Sequence, residues 1–301
     1  MIKFQGVNLL MKVQGVMVPL ITPFKNGEID YESYSRLINH LIEQGIDGII
    51  PLATTGESPT ISESEYINIL EKTIECTKKR VSIYTGLGGN NTIDVIKKLK
   101  LVEKYDIDGI LSVAPYYSRP NQKGLYEHFK AISQSTDMNI IIYNIPYRTG
   151  INIENDTLRK LSKLSNIVGV KDCSGDMKQT TDLLINRPSD FSIMTGEDAY
   201  FYTTLVLGGD GGIMASANVR TKEFVEVYNL VKDNTHKEAF EKWKKLYNMI
   251  PLLFTEPNPT PIKYCLKKLG LIDSHEVRLP LVNISSELEG KLNSFFDNLK
   301  L

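Results

Sequence analysis

Residues 139–146 read Asn-Ile-Ile-Ile-Tyr-Asn-Ile-Pro, and residues 167–172 read Ile-Val-Gly-Val-Lys-Asp. In the first stretch three isoleucines stand at consecutive positions, where a half-exposed strand would alternate apolar with polar side chains. A strand with such a run is covered on both faces, as parallel strands flanked by helices are. In the second, a lysine ends a β-branched run instead of lying on a solvated helix. Working outward, similar runs recur at Val16–Ile21, Gly48–Leu52, Val81–Thr85, Gly109–Val113, Phe191–Met194 and Gly212–Met214, beside Asn139–Tyr143 and Ile167–Val170. Helical spacing fills the intervals near 31–44, 62–78, 92–104, 122–135, 154–163, 176–186, 198–206 and 220–232. Ser62 before Glu63 and Glu65, and Thr221 before Glu223, read as helix starts.

Eight strand–helix units with no Gly/Ser- or Pro-rich linker predict an α/β fold, a closed (β/α)8 barrel over residues 12–232. A doubly wound open sheet is the alternative, because periodicity does not report closure. After residue 233 the strand pattern stops. Segments 236–254, 258–270 and 285–299 predict helices, forming a C-terminal helical subdomain (233–301) packed on the barrel. The length, 301 residues, suits such a barrel with an appendix, and 42% apolar residues supply a large core.

A net charge of −1 gives no basic field to attract nucleic acid or anionic lipid. Cys76, Cys173 and Cys265 are far apart and odd in number, which argues for a reducing compartment and against a disulfide framework. Lys3, Gln5, Asn8 and Lys12 interrupt the apolar residues of the N-terminus, so no export signal is read there. No stretch reaches the ~18 uninterrupted apolar residues of a membrane span. The expectation is a soluble, cytoplasmic protein. Residues 3–7 (KFQGV) are echoed at 12–16 (KVQGV), read as chance similarity, and Met11 is a possible alternative start. His40, His128, His236 and His275 are scattered without ligand spacing, and no catalytic metal is expected. The run Gly86-Leu87-Gly88-Gly89-Asn90-Asn91 has Asn91 where a dinucleotide fingerprint needs its last glycine, and no Walker motif is present.

In a barrel the chemistry gathers where the strands end. Here the runs end in Thr54-Thr55-Gly56-Glu57-Ser58, Pro115-Tyr116-Tyr117, Tyr143-Asn144-Ile145-Pro146 with Arg148 beyond, and Lys171-Asp172. Hydroxyls, phenols, a guanidinium and an amine thus converge on one rim. Burial of Lys171 would disfavour its ammonium and provide a nucleophilic amine; the plainer possibility is a lysine that snorkels outward or pairs with Asp172. Tyr143 can shuttle protons or be a core tyrosine with a satisfied hydroxyl. Thr54 and Thr55 can hold a carboxylate or simply serve turn chemistry. Arg148, in a strand-to-helix loop, suits a substrate carboxylate, although many loop arginines are solvated. Tyr116 and Tyr117 fit packing or an interface. Cys173 reads as a small packing residue.

From about Gly15 onward the chain resembles the dihydrodipicolinate synthase family, within the wider N-acetylneuraminate lyase superfamily of class I aldolases. The resemblance rests on Ile21-Thr22-Pro23-Phe24, the Thr54–Ser58 turn, Ala114-Pro115-Tyr116-Tyr117 with Arg119-Pro120, Tyr143–Pro146 with Arg148-Thr149-Gly150, Val170-Lys171-Asp172, and Glu256-Pro257-Asn258-Pro259. It implies that Lys171 forms a Schiff base with pyruvate, with no other cofactor, and that the enamine adds to L-aspartate 4-semialdehyde in the diaminopimelate and lysine pathway. It further implies a proton relay of Tyr143, Thr54 and Tyr117, the last reaching in from a neighbouring subunit of a homotetramer. Thr55, the backbone near Ile213, and Gly196 would line the pyruvate site, and Arg148 would bind the carboxylate of the aldehyde substrate.

Arg148 favours this reaction over cleavage of sialic acid or a 2-keto-3-deoxy sugar acid, the alternative within the superfamily. A catalytically silent barrel with a binding role is the reading from another class. The sequence departs from the family pattern at Ala53, at Asp172-Cys173 and at Thr195-Gly196-Glu197-Asp198. Ser58, Glu63, Tyr66, Asn90, Asp94 and Tyr116 match the family's lysine-inhibition site, where Glu63 and Tyr66 replace the histidines of sensitive forms.

Overall fold

Each apolar run that the sequence marks becomes a parallel strand in the computed structural model, which describes residues 12–298. Residues 3–7 and Met11, on which the echo and the alternative start turn, lie outside the described residues. The chain enters at β1 (Gly15–Pro19) and makes a short antiparallel hairpin, β2 (Phe24–Lys25) with β3 (Glu28–Ile29). There follow β4 (Gly48–Ile50), β5 (Ser82–Gly86), β6 (Gly109–Val113), β7 (Asn139–Asn144), β8 (Ile167–Asp172), β9 (Ser192–Thr195) and β10 (Gly211–Ile213). The sheet runs β1-β10-β9-β8-β7-β6-β5-β4 and closes because β1 pairs with both β10 and β4. Closure rules out the open, doubly wound sheet. The hairpin was not anticipated, since two-residue strands carry no periodicity.

The consecutive apolar residues serve two cores. Met17, Ile50, Tyr84, Leu111, Ile141, Met194 and Ile213 fill the barrel interior. Val16, Val18, Ile49, Ile83, Ile110, Ile140, Ile142 and Ile193 face the helical layer outside. One face of each strand thus meets the barrel axis and the other meets helices, which removes the polar half of the usual alternation. At the strand starts, Asp47, Asp108 and Asp210 each stand just before a strand. Their carboxylates accept the backbone N–H of Val16, Ile83 and Ile193, each at 2.8 Å. Buried donors are satisfied there by charge-assisted bonds.

The helices form where apolar spacing and caps agree. Helix Tyr31–Glu43 buries Tyr34, Leu37, Ile38 and Leu41, and Asp30 accepts the N–H of Ser33 at its start. Ser62 and Glu65 form a reciprocal capping box for helix Glu63–Thr77. Thr221 corrects the expectation: it is the first helical residue, and its hydroxyl donates to the Ala217 carbonyl at 2.7 Å instead of capping. The expected helix 236–254 is divided into His236–Tyr247 and Ile250–Leu253, with Pro251, which has no N–H, in the second piece. Helices Thr260–Lys268 and Ser286–Asn298 follow. Trp243 joins the C-terminal helices to the barrel, with its ring 6.2 Å from Phe201 and 6.3 Å from Phe224 between centroids.

Candidate active site

Strands β7 and β8 run side by side with Tyr143 opposite Lys171 and Asn144 opposite Asp172. The pairing shifts register between Ile140 and Ile141. On β8, Ile167 and Val170 belong to the outer core and Val168 to the barrel interior. Two outward residues three apart break the period of two, so a bulge lies at Val168–Gly169. In an unbroken strand starting with Ile167 outward, Lys171 would also point outward. The bulge re-aims it beside Tyr143, a known use of such irregularities next to reactive groups.

Lys171 is only 5% exposed. Its amine lies 4.3 Å from the centroid of the Tyr143 ring. Burial pushes its pKa below the usual lysine value, reinforced by Arg148 and opposed by Cys173, Asp198 and Glu197. Asp172 is not its counter-ion. That carboxylate accepts the Ser174 N–H at 2.9 Å and the Thr180 hydroxyl at 2.6 Å. Gly196 makes room for the lysine stem: a Cβ there would collide with Cys173 Sγ and with Lys171 Cε, and would come within 2.7 Å of Lys171 Cγ. The buried Cys173 thiol is pushed up to about 12 by burial, as suits a packing residue.

Tyr143 is equally buried, and burial raises its phenol well above the usual value, while the nearby Thr54 hydroxyl pulls the other way. Thr54 and Thr55 sit on a 3-10 turn, Thr54–Gly56, at the exit of β4. Thr55 is buried and accepts a hydrogen bond from Asn258 Nδ2 at 3.0 Å. Ile213 ends β10 with its side chain fully buried. Just beyond it, Asp198 accepts the Ser216 N–H at 2.6 Å and ties that exit to the end of β9. Arg148 is not in an open loop as expected. Pro146 starts a one-turn helix, Pro146–Thr149, that presents the exposed guanidinium over the Tyr147 ring, 5.7 Å from its centroid.

Thr54, Tyr143, Arg148 and Asn258 line a cavity of about 540 Å³, together with Ser58, Glu63, Tyr66 and Tyr116. Lys171 is not itself a lining residue and borders this space through the Tyr143 ring, over which its amine lies. Tyr66 turns its hydroxyl inward, to Thr85 Oγ1 at 2.9 Å and the Gly86 carbonyl at 3.0 Å. Tyr117 does not join the others within one chain. Its side chain is 90% exposed and its φ of 68° is left-handed. Two residues escaped the sequence reading as site residues: Asn258, quoted only as part of a motif, and Asp198, whose contact with Ser216 is distant in sequence.

The family model described as "Dihydrodipicolinate synthetase family" matches residues 12–298. A Clostridium acetobutylicum protein named 4-hydroxy-tetrahydrodipicolinate synthase 2 is 62% identical over 285 residues, 95% of this chain and all of the relative. One named 4-hydroxy-tetrahydrodipicolinate synthase, from Syntrophus aciditrophicus, is 41% identical over 96% of this chain and 99% of its own length. The crystal structure of dihydrodipicolinate synthase from Aquifex aeolicus superposes with a TM-score of 0.93 at 37% identity, covering 96% of this chain and 99% of that one. Similarity that runs through the barrel and its C-terminal helices alike means that the chain belongs to the dihydrodipicolinate synthetase family.

Proposed function

We propose that this protein catalyses the 4-hydroxy-tetrahydrodipicolinate synthase reaction, condensing pyruvate with L-aspartate 4-semialdehyde through a Schiff base on Lys171. The observation that carries the reading is a buried lysine without a counter-ion, beside a buried tyrosine, at the strand ends of a closed barrel. A lysine whose ammonium is destabilised by burial presents a free electron pair at lower pH than an exposed one. Its nitrogen attacks the pyruvate carbonyl carbon, forming a C–N bond, and the carbonyl oxygen takes two protons, one of them given up by the amine, and leaves as water. Tyr143, in the cavity with Thr54, is the group that gives and regains these protons. Loss of a methyl proton produces an enamine, whose carbon attacks the aldehyde; the new C–C bond replaces the C–O π bond, and that oxygen takes a proton to become a hydroxyl. The amino group of the aldehyde substrate then displaces the lysine nitrogen, closing the ring and freeing Lys171.

Thr55 and the backbone near Ile213, with Gly196 opening the floor, hold the pyruvate carboxylate. Arg148 at the mouth takes the carboxylate of the aldehyde substrate. A homotetramer, with Tyr117 entering a neighbouring subunit's relay, and a cytoplasmic setting complete the reading. The barrel (12–232) and the helices from 233 onward are taken as two structural parts. Every step of this chemistry runs through protein side chains, and the Schiff base provides the electron sink. No helix of the described residues is long and apolar enough to cross a membrane.

Turnover of pyruvate plus L-aspartate 4-semialdehyde, run beside N-acetylneuraminate cleavage, is the deciding assay. Borohydride with pyruvate should add a stable mass to the peptide carrying Lys171, and an unmodified peptide would remove the mechanism. Arg148→Ala should raise KM for the aldehyde about 10- to 100-fold, the worth of a hydrogen-bonded charge, and spare pyruvate trapping. An unchanged kcat/KM would refute the carboxylate clamp.

A further inference from the structure

Three motifs of the sequence leave residues that the reaction does not use: Phe24 of Ile21–Phe24, Glu57 of Thr54–Ser58, and the helix that follows Glu256–Pro259. These residues meet. Glu57, with a left-handed φ of 55°, follows the Thr54–Gly56 turn directly. Its carboxylate pairs with the Lys263 ammonium, and both side chains have 0% exposure. The second carboxylate oxygen accepts the Arg278 N–H at 3.0 Å. Lys263 also donates to the Glu276 carbonyl at 2.8 Å and lies 4.1 Å from the Phe24 ring centroid. On the same ring sits the Arg278 guanidinium, at 4.3 Å, which is itself held by Glu65 at 2.6 Å.

A fully buried ion pair is a costly way to gain stability, because both charges lose their water. What it does supply is direction, since a carboxylate held by an ion pair on one oxygen and a backbone N–H on the other has little freedom. Helix Thr260–Lys268 and the residues just before it grip the turn twice, through Lys263 on Glu57 and through Asn258 on Thr55. Thr54, next to the gripped Thr55, lines the same cavity as Tyr143.

We propose that Glu57 and Lys263 are a positioning pair for the reaction, holding the Thr54–Thr55 turn at the height where Thr54 meets Tyr143. The C-terminal helices are then a working part of the active site. The pair touches no substrate and acts through Thr54 and Thr55. This inference rests on the Schiff-base reading of Lys171.

The test compares Glu57→Gln, Lys263→Met and the double variant with wild type, measuring thermal midpoint, kcat, and both KM values. Lys263→Met strands a buried carboxylate and should lower both the midpoint and kcat. In the double variant neither member of this pair leaves a buried charge behind, so the midpoint should recover. Its kcat should stay about 10- to 100-fold low, because the turn is no longer set. Recovery of kcat together with the midpoint would show that the pair only stabilises the fold and would overturn the proposal. If the Lys263 variants do not accumulate, Glu57→Gln decides alone. It keeps an acceptor for the Arg278 N–H, and wild-type kcat in that variant would equally overturn the proposal. Failure of the wild-type protein to turn over the two substrates would instead sink the underlying reading.

Discussion

At the scale of single residues, Lys171 sets function against stability. Burial without a counter-ion lowers its proton affinity in the folded chain, whereas the unfolded chain keeps an ordinary lysine near 10.5. Between the lowered value and 10.5 the unfolded state binds more protons, so stability rises with pH across that window. Below the window the penalty is fully present. Lys171→Met removes it, and we expect this inactive variant to resist urea better than wild type at pH 7. The gain should be about 1.4 kcal/mol for each unit by which the amine is lowered, fading as pH approaches 10.5. Equal urea midpoints at pH 7 would show that the folded protein carries this ammonium without strain. Gly196 belongs to the same scale: the family resemblance implied a place for it at the pyruvate site, and the path of the Lys171 stem supplies the physical reason for a glycine there.

At the scale of elements, the bulge on β8 decides which way the lysine faces. Deleting Val168, the unpaired extra residue, should restore a regular strand in which Ile167 and Val170 still face outward and Lys171 still faces Tyr143. We expect pyruvate trapping by borohydride to persist in this variant. Loss of trapping in a chain that still folds as a barrel by circular dichroism would show that the alternation along β8 does not set the aim of the lysine. The strands and most helices were legible because each buries a defined face, and the 2.0 and 3.6 periods record it. The exceptions have local causes. The hairpin of β2 and β3 and the helix Pro146–Thr149 are shorter than any period, and Pro251 interrupts a pattern that otherwise reads as one helix. Thr221 looked like a cap because the sequence does not show that the Ala217 carbonyl sits within its reach.

At the scale of the whole molecule, the folded chain leaves Tyr117 in solvent, away from Tyr143 and Thr54. If a second copy brings this phenol into the relay, activity belongs to the assembly. Tyr117→Phe should then lower kcat about 100-fold or more, the usual worth of a proton-transfer group. Mixing this variant with Lys171→Met, each poorly active or inactive alone, should restore turnover once subunits exchange, because one site of the mixed assembly has both groups intact. Absence of restoration in mixed oligomers confirmed by mass would place Tyr117 outside the relay. Trp243 shows how the rest of the molecule is joined: standing on the C-terminal helix His236–Tyr247, it packs beside Phe201 and Phe224 of the barrel helices.

The sequence by itself determined the alternation of strands and helices, the α/β class, and the rim on which Thr54, Tyr143, Arg148 and Lys171 fall, because burial writes a local period and strand ends follow from it. Closure of the sheet, the inward aim of Lys171, and the grip of Asn258 and Lys263 on the Thr54–Glu57 turn were decided only in three dimensions. Each depends on groups up to 206 positions apart, as Glu57 and Lys263 are, and on an irregularity of one residue. A periodic signal averages over such an irregularity and does not extend to such partners.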